Sequence, residues 1–173
     1  MLLEKIQSNA LLSPYLRPTC DENDVGVAFD PSVLATDYVI IKVDAYFTAA
    51  VTPTPRGNDC LIVQKCADNR YKLYLIELKN IKGLNTGEGI IKHIYDKFQN
   101  CFDILMSDHF RDLFYDETYQ FSDIKLYFVS HLKKDKKQKN TRLDALLTYK
   151  SCRFAGRRFG LESKEPNPMI TPC

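Results

Sequence analysis

The feature that most constrains the fold is a pair of apolar segments, CLIVQKC (residues 60–66) and YKLYLIELK (residues 71–79), separated by the turn sequence ADNR. Both segments are rich in leucine, β-branched and aromatic residues, which predicts the two strands of a β-hairpin. Because side chains alternate along a strand, both faces of the second strand are apolar until Glu77 and Lys79 interrupt one of them. The end of this strand therefore carries charge where its pattern calls for more apolar residues.

A second carboxylate, that of Asp59, is predicted at the same end of the hairpin. In an antiparallel hairpin that turns at about Asp68-Asn69, the beginning of the first strand lies opposite the end of the second, so Asp59 is expected near Glu77 and Lys79. Two carboxylates at one site repel each other, and a hard divalent cation such as Mg2+ relieves that repulsion. A neighbouring lysine can position a water molecule and stabilise charge on a phosphate. This set of groups suits phosphodiester hydrolysis.

The remaining pattern predicts an α/β (α+β) fold in which helices flank a central mixed β-sheet. The predicted elements beside the hairpin are a helix in LLEKIQSNALL (2–11), a strand in DYVIIKVDAYFTAAV (37–51), a helix from about Glu88 to Met106, a strand in DIKLYFVSHL (123–132), a short helix in TRLDALLTY (141–149) and a strand or structured loop in CRFAGRRFGLE (152–162). A second acidic residue, Asp44, falls inside the predicted strand and is interpreted as an edge residue or a satisfied polar group.

Composition limits the alternatives. A chain of 173 residues with 45% hydrophobic residues is long enough for one core, which predicts a single domain spanning 1–173. The six cysteines form no CxxC pair and the three histidines lack zinc-type spacing, which argues against a structural zinc site. The amino-terminal sequence resembles neither a signal peptide nor a membrane anchor, so we expect a cytoplasmic protein with reduced, mostly packed cysteines and no membrane partner.

Positive charge is concentrated in the carboxyl-terminal part, 131–173, where Asp135 and Asp144 are the acidic residues between positions 133 and 158. Such a stretch is what binding to a phosphate backbone requires, although KKDKKQKN alone is equally typical of a solvated loop. The predicted DNA-binding residues are Lys133, Lys134, Lys136, Lys137, Lys139, Arg142, Arg153, Arg157 and Arg158.

Asn58-Asp59, the apolar strand, the hairpin and IELK at residues 76–79 together resemble the PD-(D/E)xK nuclease superfamily, which has the restriction-endonuclease-like fold. The resemblance covers about 37–130, although Asn58 stands where the family has proline. It implies that Asp59, Glu77 and Lys79 are catalytic, with Asp59, Glu77 and the backbone carbonyl of Leu78 as metal ligands. Lys79 would organise the nucleophilic water. Glu4, on an early helix, is the candidate for a further acidic ligand.

The resemblance is greatest to a small type II restriction endonuclease. It implies Mg2+, with Mn2+ as a substitute, double-stranded DNA as the substrate and a homodimer as the active form. Two alternatives remain open: a structure-selective repair or junction nuclease on the same fold, and a noncatalytic nucleic-acid-binding protein that keeps the fold. For the residue pair itself, the alternative is that Glu77 and Lys79 form a weak surface ion pair at the end of a strand.

Overall fold

A computed structural model describes residues 1–80, 87–131 and 150–173 of the chain. The strands in these ranges are β1 (Leu16–Arg17), β2 (Asp21–Glu22), β3 (Val25–Gly26), β4 (Ala28–Phe29), β5 (Tyr38–Lys42), β6 (Cys60–Ala67), β7 (Arg70–Lys79), β8 (Gln120–Ser130), β9 (Cys152–Phe154), β10 (Arg157–Phe159), β11 (Leu161–Lys164) and β12 (Met169–Ile170). The helices are α1 (Leu2–Ser8), α2 (Val43–Ala50), α3 (Gly87–Asn100), a π-helix (Cys101–His109) that continues α3, and α4 (Arg111–Phe114).

The central sheet is mixed and has the strand order β1-β5-β6-β7-β8-β11. Neighbouring strands are antiparallel from β1 to β7 and parallel from β7 to β11. Helices pack against this sheet through one large apolar cluster. The prediction of a mixed α+β fold with a central mixed sheet flanked by helices is therefore confirmed.

The hairpin predicted from the two apolar segments is present as β6 and β7. Cys60 pairs with Ile76 at its open end, and Asn69 takes a left-handed conformation in the turn, with φ of 56°. Asparagine tolerates this conformation better than most residues, which explains why ADNR turns the chain tightly. The register places the beginning of β6 beside the end of β7.

The single strand predicted for residues 37–51 is wrong in its second half. The structure has β5 from Tyr38 to Lys42 and then α2 from Val43 to Ala50. Val43, Tyr46 and Phe47 are buried at positions i, i+3 and i+4, so the aromatic and β-branched residues that suggested a strand form one face of a helix. Tertiary packing of this face outweighs the β-propensity of the individual residues.

The long helix predicted from about Glu88 to Met106 is confirmed, and its carboxyl-terminal part is the π-helix. The described residues of the predicted apolar stripe are buried; they are Ile94, Phe98, Cys101, Phe102 and Leu105. The strand predicted for 123–132 is β8, which begins three residues earlier than expected. None of the helices in the described ranges has the length and apolar character needed to cross a membrane.

Short strands cover the other face of the sheet, and disulfides join them to it. Pairs β2–β3 and β4–β12 lie over a second apolar cluster, and Cys20–Cys60 and Cys66–Cys173 are disulfide-bonded. The expectation of six reduced cysteines is thus wrong for these four, because the fold brings together residues 40 and 107 positions apart in sequence. The other two, Cys101 and Cys152, are free and buried.

The segment CRFAGRRFGLE forms a tight hairpin, β9–β10, followed by β11 at the edge of the central sheet. Ala155 and Gly156 at its tip both have positive φ, at 48° and 76°. Phe154 and Phe159 are buried and contact Phe102 of the π-helix, which fixes the hairpin to the helical layer. The predicted helix at 141–149 lies outside the described residues.

Candidate functional site

The structure brings the predicted residues Asp59, Glu77 and Lys79 together at the open end of the β6–β7 hairpin. Asp59 directly precedes β6, and its Oδ2 accepts a hydrogen bond of 2.6 Å from the backbone N–H of Leu78. Glu77 and Lys79 share a face of β7, and their Oε1 and Nζ atoms are 2.6 Å apart. The backbone of Leu78 therefore lies between the two acidic residues, as the hairpin register requires.

The Glu77 carboxylate is fully buried and contacts two ammonium groups. Its Oε1 lies 2.6 Å from Lys79 Nζ and 2.7 Å from Lys97 Nζ, and Lys97 reaches it from α3. Its Oε2 is buried and has no hydrogen-bond partner among the described residues. A buried carboxylate oxygen without a partner is costly in free energy, and a bound ligand at Oε2 would remove that cost. An exposed ion pair at a strand end would have neither a fully buried carboxylate nor an unpaired buried oxygen.

The surroundings shift the protonation equilibria of this pair. Burial raises the pKa of Glu77, and the Asp59 carboxylate raises it further, whereas Lys97 and Lys79 act in the opposite direction. Burial by itself would lower the pKa of Lys79, but the Glu77 carboxylate outweighs it and the pKa is raised. Lys79 therefore stays protonated as a cation beside the carboxylate.

A third carboxylate, that of Asp44, lies at the edge of this cluster. Gly57 packs so closely on the first turn of α2 that a Cβ there would lie 2.8 Å from the Phe47 ring and 3.0 Å from Asp44 Cα. This contact brings Asp44 towards Asp59. Burial raises the pKa of Asp44, Lys42 lowers it, and Asp59 raises it. Asp44 is thus part of the site and is not an isolated polar residue.

Lys42, at the end of β5, approaches three carboxylates without a direct hydrogen bond to any of them. Its Nζ lies 3.9 Å from Asp59 Oδ1, 3.8 Å from Asp44 Oδ1 and 3.8 Å from Glu22 Oε2. Cluster residues that sequence reasoning missed are Glu22, Lys42, Asp44 and Lys97. The spacing of Val43, Tyr46 and Phe47 carried a signal for Asp44, because it places this residue in the first turn of a helix, whereas Lys42 and Lys97 are recruited by tertiary contacts.

Asn58 holds the loop that precedes Asp59. Its side chain is buried, and Nδ2 donates to the carbonyl oxygen of Cys60 at 2.6 Å and to that of Ile76 at 3.4 Å. These bonds tie the loop to both strands of the hairpin. Asn58 therefore performs a positioning role for which the resemblance had led us to expect proline.

Glu4 is not part of the cluster, which corrects the expectation that it supplies a further acidic ligand. Its Oε2 pairs with the amino-terminal ammonium at 3.0 Å, and the backbone N–H of Leu2 donates to Tyr71 Oη at 3.1 Å. Tyr71 precedes Glu77 by six residues on β7, a distance of about 20 Å along a strand. Helix α1 is anchored at the opposite end of the sheet, out of reach of Asp59.

The described arginines of the predicted DNA-binding set lie on the β9–β10 hairpin. Arg153 and Arg158 are exposed and directly opposite each other, whereas Arg157 packs over the Phe159 ring at 5.2 Å. Gln99 of α3 bonds to the backbone of Arg153, at 2.9 Å to its N–H and 3.1 Å to its carbonyl. The predicted residues Lys133, Lys134, Lys136, Lys137, Lys139 and Arg142 lie outside the described residues.

The hairpin and the acidic cluster occupy different flanks of α3. Lys97, which contacts Glu77, and Gln99, which holds Arg153, are two residues apart and so point about 200° from each other around the helix. The cationic groups adjacent to the carboxylates are instead Lys42, Lys79 and Lys97.

Asp59 and Glu77 are the residues of the cluster that could hold a divalent cation. In the part of the chain that the structure describes, no three carboxylate, histidine or cysteine side chains are gathered to hold one metal ion. Among the described residues, the ion-pair partner of Asp59 Oδ1 is the ammonium of Lys42, at 3.9 Å, and Glu77 Oε2 has no hydrogen-bond partner, so each of these carboxylates retains one available oxygen. Mg2+ is commonly bound through one or two carboxylates with water completing its shell. Asp59 and Glu77 fit that mode.

Comparisons of the chain with protein-family models, with curated proteins and with solved structures found no match.

Proposed function

We propose that the protein is a Mg2+-dependent endonuclease that hydrolyses phosphodiester bonds in double-stranded DNA, most like a sequence-specific type II restriction enzyme. The observation that carries the proposal is the buried pair Asp59 and Glu77 beside Lys79, in which Glu77 Oε2 is buried and no described residue forms a hydrogen bond with it. Such a carboxylate has a large desolvation cost, and two neighbouring carboxylates add repulsion. A bound cation would relieve both.

The order of elements supports the same proposal. An acidic residue precedes β6, an acid-x-lysine sequence ends β7, a helix follows, and β8 then pairs parallel to β7. The acid before β6, the acid-x-lysine sequence on β7 and the helix after it are in the order that the PD-(D/E)xK resemblance implies.

Each residue of the site has a chemical role in this proposal. Asp59, fixed by the N–H of Leu78, and Glu77, fixed through Oε1, would hold the cation with their free oxygens, and the Leu78 carbonyl, which follows Glu77 in the chain, would be a further ligand. When it is bound, Mg2+ acts as a Lewis acid that polarises the attacking water and the phosphate oxygens. The Lys79 side chain is 36% exposed, so its ammonium can also contact the water and the phosphate oxygens.

The substrate class is proposed from charge. Arg153 and Arg158 are exposed, and no carboxylate of the described residues pairs with them, which leaves both guanidinium groups available to phosphates. Two like charges directly opposite each other destabilise a hairpin, and a bound phosphate between Arg153 and Arg158 would relieve their repulsion. A homodimer is proposed because one small subunit covers half of a palindromic site.

The test is incubation of the purified protein with mixed-sequence plasmid and phage DNA, with Mg2+ or with EDTA. Lys79→Ala is compared with Lys125→Ala, a matched control whose lysine contacts surface carboxylates on β8 and β11. We expect discrete fragments that require Mg2+, vanish in Lys79→Ala and persist in Lys125→Ala. Cleavage that depends on branching would point to the repair alternative, and binding to intact DNA under all conditions would favour the noncatalytic protein.

A further inference from the structure

Lys42 stands apart from the other two lysines of the site in how it contacts carboxylates. Lys79 and Lys97 lie within hydrogen-bond distance of Glu77 Oε1, at 2.6 and 2.7 Å. The Lys42 ammonium is 3.8–3.9 Å from three carboxylates, those of Glu22, Asp44 and Asp59. An ammonium at that distance neutralises charge without forming a direct hydrogen bond.

The three carboxylates come from different parts of the fold. Glu22 lies on β2, Asp44 in the first turn of α2, and Asp59 just before β6. The side chain of Lys42 is 22% exposed and that of Asp59 is 6% exposed, so water solvates the charge of the Asp59 carboxylate poorly. The side chains of Glu22 and Asp44 are 48% and 39% exposed, so it is at the buried Asp59 carboxylate that the positive charge of Lys42 matters most.

We propose that Lys42 is an internal counter-ion which holds the place of a divalent cation at Asp59 and lowers the affinity of the site for that cation. This inference rests on the proposed metal-dependent function. Mg2+ bonds to oxygen at about 2.0–2.1 Å, far closer than the Lys42 ammonium lies to any of its three carboxylates. Among the described residues the Lys42 ammonium has ion-pair distances of 3.8–3.9 Å to carboxylates, and its side chain is 22% exposed, so a bound cation would displace it towards solvent.

The sign of the effect separates this role from a structural one. Loss of a residue that only supports the fold would weaken cation binding or leave it unchanged. Loss of a competing positive charge should instead tighten it, by roughly tenfold for one unit charge near a divalent ion in a partly exposed site. The same substitution should destabilise the metal-free protein, because the carboxylates of Asp44 and Asp59 then lose their counter-ion.

The experiment measures Mn2+ affinity by calorimetry and by electron paramagnetic resonance on the full chain without DNA. Lys42→Met is compared with the wild type, with Lys42→Arg, which keeps the charge, and with Lys125→Met, which removes a lysine from another carboxylate pair. We expect about tenfold tighter Mn2+ binding in Lys42→Met, with a larger rise in melting temperature on adding Mn2+. Lys42→Arg and Lys125→Met should bind like the wild type.

Unchanged or weaker Mn2+ binding in Lys42→Met, with binding intact in the wild type, overturns the inference and leaves the proposed function standing. Absence of Mn2+ binding from both folded proteins overturns the proposed function as well. Should Lys42→Met not fold, the wild type gives the answer: Mg2+ should accelerate reductive methylation of the Lys42 amine relative to that of Lys125. An unaltered ratio of the two rates would also refute the role of Lys42.

Discussion

The two-lysine contact at Glu77 leads to a quantitative prediction about Lys97→Met. The substitution removes the 2.7 Å contact from α3 and leaves the 2.6 Å contact with Lys79. A hydrogen bond to a charged group contributes about 1.5–3 kcal/mol, and the pair is poorly screened because Glu77 is fully buried. We expect Lys97→Met to lower the free energy of unfolding by about 2 kcal/mol at neutral pH.

A double-mutant cycle tests whether that loss arises at Glu77. In a Glu77→Gln background, Lys97→Met should cost about 0.5 kcal/mol or less, which gives a coupling energy of about 1.5 kcal/mol. Lys125→Met is the control, because Lys125 lies 3.4 Å from Asp123 and 3.5 Å from Glu162 at the surface. An exposed pair of this kind contributes less than about 1 kcal/mol.

The assay is urea unfolding in EDTA, followed by far-ultraviolet circular dichroism, with the denaturant slope required to stay constant across the variants. The reasoning would be refuted if Lys97→Met cost no more than Lys125→Met. It would also be refuted if the cost were the same in the Glu77→Gln background, since Lys97 would then stabilise the fold through contacts other than Glu77.

Three further predictions concern pH, the disulfide and DNA. Since burial raises the pKa of Glu77, folding favours its protonated form, and the stability of the wild type relative to Glu77→Gln should be greatest below the ordinary glutamate pKa. This stability difference should fall as the pH rises through the raised pKa. Urea unfolding at about pH 4, 6 and 8 measures it, and a difference between the two proteins that is the same at all three pH values would contradict the prediction. Cys20→Ser removes the disulfide to Cys60, which joins residues 40 positions apart next to Asp59, and should lower the free energy of unfolding by about 2–4 kcal/mol. Urea unfolding measures this loss, and a midpoint equal to that of the wild type would contradict it. Arg153→Gln should lower the salt slope of DNA binding by about 0.9, more than Arg157→Gln, whose side chain packs on the protein; equal slopes would oppose the proposed contact.

Local pattern was sufficient for the hairpin and for the meeting of Asp59 with Glu77. Strand alternation and the ADNR turn together determine which end of β6 faces which end of β7, so the pairing of an upstream acid with a downstream acid-x-lysine follows from register alone. The long helix also follows from its own 3.6-residue apolar period. These features depend on residues that are close in sequence.

Features that depend on distant contacts could not be predicted in the same way. Lys97 reaches Glu77 across 20 residues, and the disulfides join residues 40 and 107 positions apart. Nothing in the local pattern separates such residues from ordinary surface lysines or packed cysteines. Asp44 was missed for another reason: the β-propensity of its neighbours predicted a strand, whereas the helical spacing of Val43, Tyr46 and Phe47 places it in the first turn of α2.

The failure at Glu4 has a similar physical origin. The helix that carries Glu4 was predicted, but the sequence pattern does not say against which end of the sheet it packs. Contacts such as that of Leu2 with Tyr71 decide this, and Tyr71 lies far from Glu77 on β7. The helical pattern specifies the buried face of α1 and carries no information about its position along the sheet.

The central claim is that Asp59 and Glu77 jointly hold one divalent cation, and anomalous diffraction from crystals grown with Mn2+ tests it most directly. We expect one strong peak in contact with Asp59 Oδ1 and Glu77 Oε2, absent from crystals of Glu77→Gln. A peak elsewhere in the molecule, or none at this position in well-ordered crystals at saturating Mn2+, would contradict the account.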